Sequence, residues 1–437
     1  MNIEEALGYI HSFINYERTA SWEYPEAFKL DRMHALAKEL GNPQKAYETI
    51  LIAGSKGKGS VAAILSSILR MENLKVGLYT SPHLVDLRER IQVNGLWISE
   101  QRFLAMMERF KHTLDSYEWR KNPPTFFELL TAAAFFYFKE MKVQVAVLEV
   151  GLGGLYDSTN IAQARVAGIT PISLEHTDKL GKTVSKIAVQ KCGIIKGREI
   201  VVSAPQVPEA EVVVQRTAEE RDARLLRVGK EIRFFEREWT EEFQTFDVRA
   251  PFGNYFDLRL GLIGRHQIEN ACLAVALAKS LEEKTRLKIS SDAVRQGVLD
   301  ARWPGRLEKI SDSPKILLDG AQNADSMRRL VEAVNRHFQY EKLWVVLGVS
   351  SDKDLDGILS ALPPESTNLI LTQAENPRAM EPGLIAEKAA ARFKEVRIEK
   401  NPCQALQKAA ASASSADLVL VTGSLFLLGD IKSSHGS

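Results

Sequence analysis

The chain has 437 residues, which at about 150 residues per domain predicts two or three domains rather than one. Lysine and arginine number 57 against 56 acidic residues, so the net charge of +1 excludes the strongly basic surface typical of nucleic-acid or anionic-membrane binding. Hydrophobic residues make up 45% and charged residues 26%, a balance that excludes a disordered chain and predicts a globular protein.

The beginning of the sequence and its cysteines predict a cytoplasmic location. The opening residues MNIEE are acidic and lack the basic start of a secretory signal. Cys192, Cys272 and Cys403 lie far apart, which fits neither a disulfide framework nor a zinc site. The apolar run at 126–138 is shorter than the roughly 20 residues that a spanning helix needs. We therefore expect a cytoplasmic protein without a membrane partner.

From residue 47 to about 200, short apolar runs alternate with longer helical patterns. The runs that read as strands lie at 47–53, 76–80, 143–150 and 166–173. Near-continuous apolar strands separated by helices are typical of a parallel sheet covered on both faces. This half of the chain therefore predicts an α/β fold with a mainly parallel sheet.

The pattern changes between about 204 and 261, where Glu/Arg-rich and alternating segments predict antiparallel strands appended to the first sheet. Helices are predicted at 268–281 and 291–299. Beyond residue 306, five apolar runs alternate with helices and predict a smaller doubly wound α/β domain. We place the boundary near residue 300, which gives domains at 1–300 and 301–437.

A glycine-rich segment, Gly54–Ser60, follows the first apolar strand and opens a helix. Glycines let backbone amides turn toward a polyphosphate, Lys58 can neutralise charge, and the Ser60 hydroxyl can reach Mg²⁺. The segment is not a strict Walker A sequence, because only two residues separate Gly54 from Gly57. It nevertheless predicts a nucleotide-phosphate site.

Polar residues also fall at the ends of predicted strands, where open α/β sheets place ligands. Ser81, Glu149 and His176 follow three such strands and can complete a Mg²⁺ site, although each alone is a weak signal.

Lys191 lies in a largely apolar segment. It is either a lysine with a solvated head group or a desolvated amine that loses its proton readily.

Ten different short motifs are distributed along most of the chain. In order they are GSKGKGS (54–60), TSPHL (80–84), TFFE (125–128), EVGLGG (149–154), DSTN (157–160), HQIENA (266–271), PGR (304–306), DGA (319–321), DKD (352–354) and TGS (422–424). This series resembles the folylpolyglutamate synthase and dihydrofolate synthase family of the Mur ligase superfamily. The resemblance implies a Mur-ligase-like ATPase domain with a phosphate loop, followed by a Rossmann-like α/β glutamate ligase domain.

The resemblance further implies an ATP- and Mg²⁺-dependent ligase that joins L-glutamate to a folate or dihydropteroate carboxylate through an acyl phosphate. ATP would bind the phosphate loop and three residues beyond it: Gly54, Lys56, Gly57, Lys58, Gly59, Ser60, Asn270, Arg306 and Asp319. Mg²⁺ would bind Ser81, Glu149 and His176. Lys191 matches the lysine that this family carbamylates, and Lys58, Lys191 and His176 would act in catalysis.

The resemblance also assigns substrate contacts. Thr125, Phe126 and Phe127 would line a pterin pocket, for which the alternative is a plain helix face buried in the core. Ser424 would help hold glutamate. The partners expected are these small molecules alone, with no nucleic acid, and the protein is expected to be a monomer.

Two other functions stay open. One is a Mur-type ligase acting on a UDP-linked peptide, although the TFFE and DGA motifs favour the folate branch. The other is a nucleotide-binding homologue without ligase activity, because Gln322 replaces the usual histidine and Ser55-Lys56 alter the phosphate loop.

Overall fold

The computed structural model describes residues 1–17 and 30–435. The elements of the first 300 residues are α1 (Ile3–His11), α2 (Leu30–Glu39), β1 (Glu48–Ala53), α3 (Lys58–Met71), β2 (Val76–Tyr79), β3 (Ile91–Val93), β4 (Leu96–Trp97), α4 (Glu100–Leu114), α5 (Tyr117–Lys121), α6 (Phe126–Glu140), β5 (Val145–Glu149), β6 (Val166–Ile169), α7 (Thr177–Leu180), α8 (Val184–Cys192), β7 (Ile200–Ser203), α9 (Pro208–Glu220), β8 (Arg224–Arg227), β9 (Arg233–Trp239), β10 (Gln244–Ala250), β11 (Gly253–Leu260), α10 (Arg265–Lys284) and α11 (Ser291–Leu299). Those that follow are β12 (Glu308–Asp312), β13 (Lys315–Leu318), α12 (Ala324–His337), β14 (Leu343–Leu347), α13 (Leu355–Ala361), β15 (Thr367–Leu371), α14 (Pro382–Ala389), β16 (Glu395–Ile398), α15 (Pro402–Ser412), β17 (Leu418–Thr422) and α16 (Leu425–His435).

The first sheet has the strand order β4-β3-β2-β5-β1-β6-β7-β8. Neighbouring strands pair in parallel along the series β2, β5, β1, β6, β7 and β8. Strands β3 and β4, at the edge next to β2, pair antiparallel. Successive side chains of a strand point to opposite faces. Ile50 and Ile52 of β1 accordingly pack with α3, α10 and α11, whereas Leu51 and Ala53 pack with α6 and α8. The predicted α/β fold with a mainly parallel sheet is confirmed.

The segment at 204–261 differs from the prediction in its first half. After β7 the chain forms α9 and then β8, which pairs in parallel with β7 and extends the main sheet. Only β9, β10 and β11 make an antiparallel sheet, in the order β11-β10-β9. The Glu/Arg-rich stretch was misread because α9 is an amphipathic surface helix that buries only Ala210, Val214 and Ala218, spaced four residues apart.

The second sheet has the order β12-β13-β17-β14-β15-β16. The five predicted strands are present and parallel, and their α/β cycle is confirmed. Strand β12 was not predicted, because this half-exposed edge strand, EKISD, lacks an apolar run. The division at residue 300 falls between the two sheets and remains our proposed domain boundary.

Contacts of the β9–β10 hairpin join the three-stranded antiparallel sheet to the C-terminal α/β unit. Arg336 of α12 pairs with Glu236 at 2.7 Å, and the His337 ring nitrogen Nδ1 lies 2.7 Å from the Thr240 carbonyl oxygen. Lys315 at the start of β13 pairs with Glu241 at 2.6 Å. Within the described ranges, no helix is both long and apolar enough to cross a membrane.

Candidate active site

The loop between β1 and α3 passes very close to its neighbours, and its glycines permit this. Gly54 has φ +149° and Gly57 has φ +85°. A Cβ added to Gly54 would lie 1.8 Å from Thr170 Oγ1, and one added to Gly57 would lie 2.5 Å from Asn270 Oδ1. The first amides of α3 have no partner within the helix, so they are available to an anion at its N-terminus.

Two lysines converge on the carbonyl oxygen of Gly54. Lys58 Nζ donates to it at 3.3 Å and Lys191 Nζ at 2.7 Å. Burial, together with the smaller effect of the positive charge of Lys58, lowers the pKa of Lys191 to about 7. Of the two alternatives for Lys191, the structure therefore shows the desolvated amine.

An ion pair lies beside Lys58 and Lys191. Lys56 forms an ion pair with Glu175. Burial by itself would raise the pKa of Glu175, but Lys56 and His176 outweigh it and lower that pKa to about 2. Glu175 is thus an anion at neutral pH, and Lys56 is engaged with it rather than free to meet a phosphate.

The three candidate metal residues lie at the carboxyl ends of β2, β5 and β6: β5 and β6 flank β1, and β2 is the next strand beyond β5. Glu149 is buried, and its one hydrogen bond within the described chain comes from Ser81 N at 3.2 Å to Oε2. Burial raises the pKa of Glu149, against the charges of Lys58 and Arg306. Burial also lowers the pKa of His176 to about 4, so its ring is neutral at pH 7.

These residues fit a Mg²⁺ ion shared with a nucleotide. Carboxylate and hydroxyl oxygens are ligands that Mg²⁺ prefers, and the ion commonly binds one or two protein carboxylates together with phosphates and waters. Glu149 and Ser81 offer such oxygens, and Glu149 has an unfilled acceptor capacity. No group of three His, Cys, Asp or Glu side chains suited to a metal occurs among the described residues, so the protein alone does not enclose the ion.

The second sheet contributes Arg306 and Asp319. Arg306 Nη1 donates to the Gly305 carbonyl oxygen at 2.9 Å, and the guanidinium lies against Gly320. Asp319 accepts from Leu307 N at 3.0 Å and from Ala321 N at 2.8 Å. Its pKa is raised by burial, while Arg306 acts in the opposite direction. Since Arg306 also lowers the pKa of Glu149, its charge acts on both sides of the cleft between the sheets.

Asn270 and Ser424 are placed differently with respect to the phosphate loop. Asn270 on α10 is buried, packs against Gly57 and donates from Nδ2 to Gln267 Oε1 at 2.9 Å. Ser424 is buried after β17, and its Oγ accepts from Phe426 N at 3.2 Å. Asn270 is thus part of the loop's immediate surroundings, whereas Ser424 lies at the carboxyl edge of the second sheet.

The three predicted pterin contacts do not share one environment. Thr125 caps α6, since its Oγ1 accepts from Glu128 N and Glu128 Oε2 accepts from Thr125 N. The Phe126 ring is buried, with the His11 ring at 5.9 Å and the Arg90 guanidinium at 5.4 Å. Phe127 packs on Gly151, directly after Glu149 and Val150. The first two therefore have capping and core roles, and Phe127 lies beside the site.

Sequence reasoning assigned no role to three residues that the structure places here. The Trp303 indole packs on Gly59, where an added Cβ would lie 2.8 Å from its Cζ2. Asp157 accepts from Gly151 N and Leu152 N, both at 3.0 Å, and so fixes the turn after β5. Lys353 lies close enough for its charge to lower the pKa of Lys56 and His176. Trp303 directly precedes the PGR motif, and Asp157 and Lys353 lie within the DSTN and DKD motifs. Their positions in or beside these motifs were therefore a sequence signal that could have identified them.

Contacts from the second sheet reach the first across the cleft. Asp352 pairs with Lys353 at 2.9 Å and with Arg378 at 2.8 Å. Arg378 Nη1 also donates to the backbone oxygen of Glu17 at 3.0 Å. Lys353 lies near Lys56 and His176, and Arg306 lies near Glu149, so these residues of the second α/β unit approach the phosphate loop and the strand ends of the first sheet.

Comparisons with known proteins agree along the whole chain. Residues 52–278 match the Mur ligase middle domain, and residues 305–425 match the Mur ligase glutamate ligase domain. The dihydrofolate synthase/folylpolyglutamate synthase of Bacillus subtilis is 33% identical over 429 residues, covering 96% of this chain and 99% of that protein.

Solved structures show the same similarity. The folylpolyglutamate synthase of Mycobacterium tuberculosis complexed with ADP superposes with a TM-score of 0.90 at 32% identity, over 99% of this chain and 98% of that one. A folylpolyglutamate synthase complex with AMPPCP and folate has a TM-score of 0.83 at 29% identity, with both chains fully covered.

Proposed function

This chain belongs to the folylpolyglutamate synthase and dihydrofolate synthase family of Mur ligases, and on that premise we propose that it is an ATP-dependent ligase joining L-glutamate to a folate or dihydropteroate carboxylate. The main observation in support of the proposal is that residues from both sheets line one cleft. The phosphate loop and Glu149 approach it from one sheet, and Arg306 and Asp319 approach it from the other.

The reaction needs anions held in line and their charge offset. The acceptor carboxylate attacks the γ-phosphorus of ATP, ADP leaves, and an acyl phosphate forms. The glutamate amine then attacks the acyl carbon, a proton is lost from nitrogen, and phosphate leaves. The amides of Gly57, Lys58, Gly59 and Ser60 would hold the phosphates, and Lys58 and Arg306 would offset their charge.

The metal would be held by Ser81, Glu149 and His176. Mg²⁺ supplies charge neutralisation of the phosphates when it is bound. The low pKa of His176 keeps a ring nitrogen unprotonated at neutral pH, as a metal ligand requires, and the Ser81 amide orients the Glu149 carboxylate. Asn270 and Asp319 would complete the nucleotide site, with Asp319 next to the ribose.

Lys191 is proposed to carry a carbamate. With a pKa of about 7, a large fraction of its amine is neutral at physiological pH, which is the form that attacks carbon dioxide. The neutral amine nitrogen forms a C–N bond to carbon dioxide and loses one proton to solvent, so a neutral amine becomes an anion beside Lys58; starting from the protonated lysine, two protons are released. Intact-protein mass spectrometry in ¹³C-labelled bicarbonate, with Lys191→Arg as the control, tests this modification.

Glutamate is proposed to enter from the second sheet, with Ser424 at that edge, and Phe127 to contact the pterin beside Gly151. One copy of the chain supplies every residue assigned here. The cysteines Cys192, Cys272 and Cys403 are all unpaired. These features support our proposal of a cytoplasmic monomer, which sedimentation analysis and cell fractionation would test.

The decisive experiment incubates the purified protein with ATP, Mg²⁺ and labelled glutamate, with dihydropteroate or tetrahydrofolate as the acceptor. Labelled amide with either acceptor supports the proposal, and the ratio of the two rates defines acceptor preference. Product only with a UDP-linked peptide would favour the Mur-type alternative. Nucleotide binding without product from any acceptor would favour the inactive homologue, and Gln322→His would then test whether that position is responsible.

A further inference from the structure

The first half of the phosphate loop is bonded to residues 171–176, the segment that follows β6. The backbone N–H groups of Ser55 and Lys56 both donate to the carbonyl oxygen of Pro171, at 3.0 and 3.3 Å. The Ser55 hydroxyl adds two hydrogen bonds with Ser173, because its Oγ donates to the Ser173 carbonyl oxygen and accepts from Ser173 N, both at 3.1 Å. The loop and this segment are therefore fixed relative to each other.

An ion pair between two side chains completes this contact. Lys56 Nζ pairs with Glu175 Oε1, and both side chains are largely buried, with 20% and 13% of their surfaces exposed. Charges taken out of water are costly unless they are paired, so separating a buried pair is much less favourable than separating an exposed one. The pair therefore anchors Glu175 to the loop.

The next residue, His176, is a proposed metal ligand with an uncommon backbone conformation. Its φ of +50° and ψ of +43° lie in the left-handed region, which a residue other than glycine keeps only when its surroundings hold it there. On one side, its carbonyl oxygen accepts from Lys179 N at 2.9 Å and from Leu180 N at 2.8 Å, within α7. On the other side stands the ion pair of Glu175 with Lys56.

Lys56 cannot serve this ion pair and a phosphate equally well. Moving its ammonium group to a phosphate would leave the Glu175 carboxylate unpaired and close to further negative charge, which is costly for a buried group. Lys58 and Arg306 are already available to offset the charge of the phosphates. The contacts therefore favour a lysine that stays with Glu175 when a nucleotide binds.

We propose that Lys56 is a positioning residue, which through Glu175 holds His176 in place relative to the phosphate loop and so couples Mg²⁺ binding to nucleotide binding. The inference rests on the proposed nucleotide and Mg²⁺ site and adds the residues that connect its two parts. Ser55 and Lys56, which alter the phosphate loop relative to the family pattern, are the two residues whose side chains bond the loop to residues 171–176.

The test is calorimetry of ADP binding with and without Mg²⁺, and the measured quantity is the factor by which Mg²⁺ tightens binding. Lys56→Met and Glu175→Gln should each lower this factor by about tenfold, the smaller of the effects known for residues that orient metal ligands. ADP affinity without Mg²⁺ should stay close to that of the wild type. Because both residues act through one contact, the double variant should lose no more than either single variant.

Two further variants serve as controls in the same assay. Lys56→Arg keeps a cation opposite Glu175 and should retain most of the Mg²⁺ effect. Lys182→Met removes an exposed lysine between α7 and α8 and should leave the effect unchanged. Should Lys56→Met fail to fold because Glu175 is left unpaired, the neutral double variant is compared with Glu175→Gln, and equal Mg²⁺ effects in these two support the proposal.

Three results would overturn the positioning role. One is weaker ADP binding by Lys56→Met without Mg²⁺ while Glu175→Gln binds normally, which would make Lys56 a phosphate ligand. Another is a loss in the double variant larger than in either single variant. The third is a Mg²⁺ effect that persists in both single variants, which contradicts this inference alone. A wild type whose ADP binding does not respond to Mg²⁺ contradicts the proposed metal site as well.

Discussion

Replacing Lys191 with methionine should stabilise the protein at neutral and acidic pH, even though we assign this residue to the proposed active site. The ordinary pKa of a lysine is 10.5, and burial lowers that of Lys191 to about 7. Between these values the unfolded chain binds more protons than the folded one, so wild-type stability rises with pH. Below pH 7 both states are protonated, and the folded protein carries the full penalty of a buried cation.

The size of the expected stability difference follows from the difference between the two pKa values of Lys191, 10.5 in the unfolded chain and about 7 in the folded one. The penalty is at most about 5 kcal/mol below pH 7, and it falls by about 1.4 kcal/mol per pH unit until it vanishes near pH 10.5. Lys191→Met also loses the hydrogen bond to Gly54, which is worth about 1 kcal/mol at every pH. The variant should therefore be the more stable protein at pH 6, and its advantage should disappear as pH rises.

Urea unfolding in carbon-dioxide-free buffer at pH 6, 8 and 10 measures this difference. Lys186→Met is the matched control, since Lys186 is exposed on the same helix and should give a difference that does not change with pH. A stability difference for Lys191→Met that stays constant from pH 6 to 10 would refute the conclusion that this amine is desolvated.

Three further outcomes are expected. Gly57→Ala should weaken ADP binding at least tenfold in calorimetry, because its Cβ would meet Asn270 at 2.5 Å with φ at +85°, whereas Gly383→Ala has open space and should bind normally. Glu149→Gln should fold and bind ADP without Mg²⁺, but Mg²⁺ should no longer tighten binding; an unchanged Mg²⁺ effect would remove Glu149 from the metal site. Thr125→Ala should lower the free energy of unfolding by about 1 kcal/mol through the lost helix cap, and a change in the KM for folate without a change in stability would instead support a pterin contact.

Much of the site could be read from local sequence. A glycine cluster between an apolar strand and a helix predicts a phosphate loop, because glycine adopts positive φ angles such as those of Gly54 and Gly57 without steric cost. The carboxyl ends of parallel strands share one edge, so the positions of Ser81, Glu149 and His176 after their strands already predicted a common location. Parallel strands buried on both faces are continuous apolar runs, which is why both α/β halves were recognised.

Other features required the tertiary structure because they depend on contacts between distant residues. The pairing of β8 with β7, the burial of Phe126 between His11 and Arg90, and the position of Trp303 over Gly59 leave no periodic pattern. Sequence by itself determined the two α/β units, the phosphate loop and the order of the motifs, since these follow from local backbone and hydrophobic constraints. Only the folded chain decided which lysine is desolvated and which carboxylate is already paired, because burial and charge pairing arise from packing between residues that are far apart in the sequence.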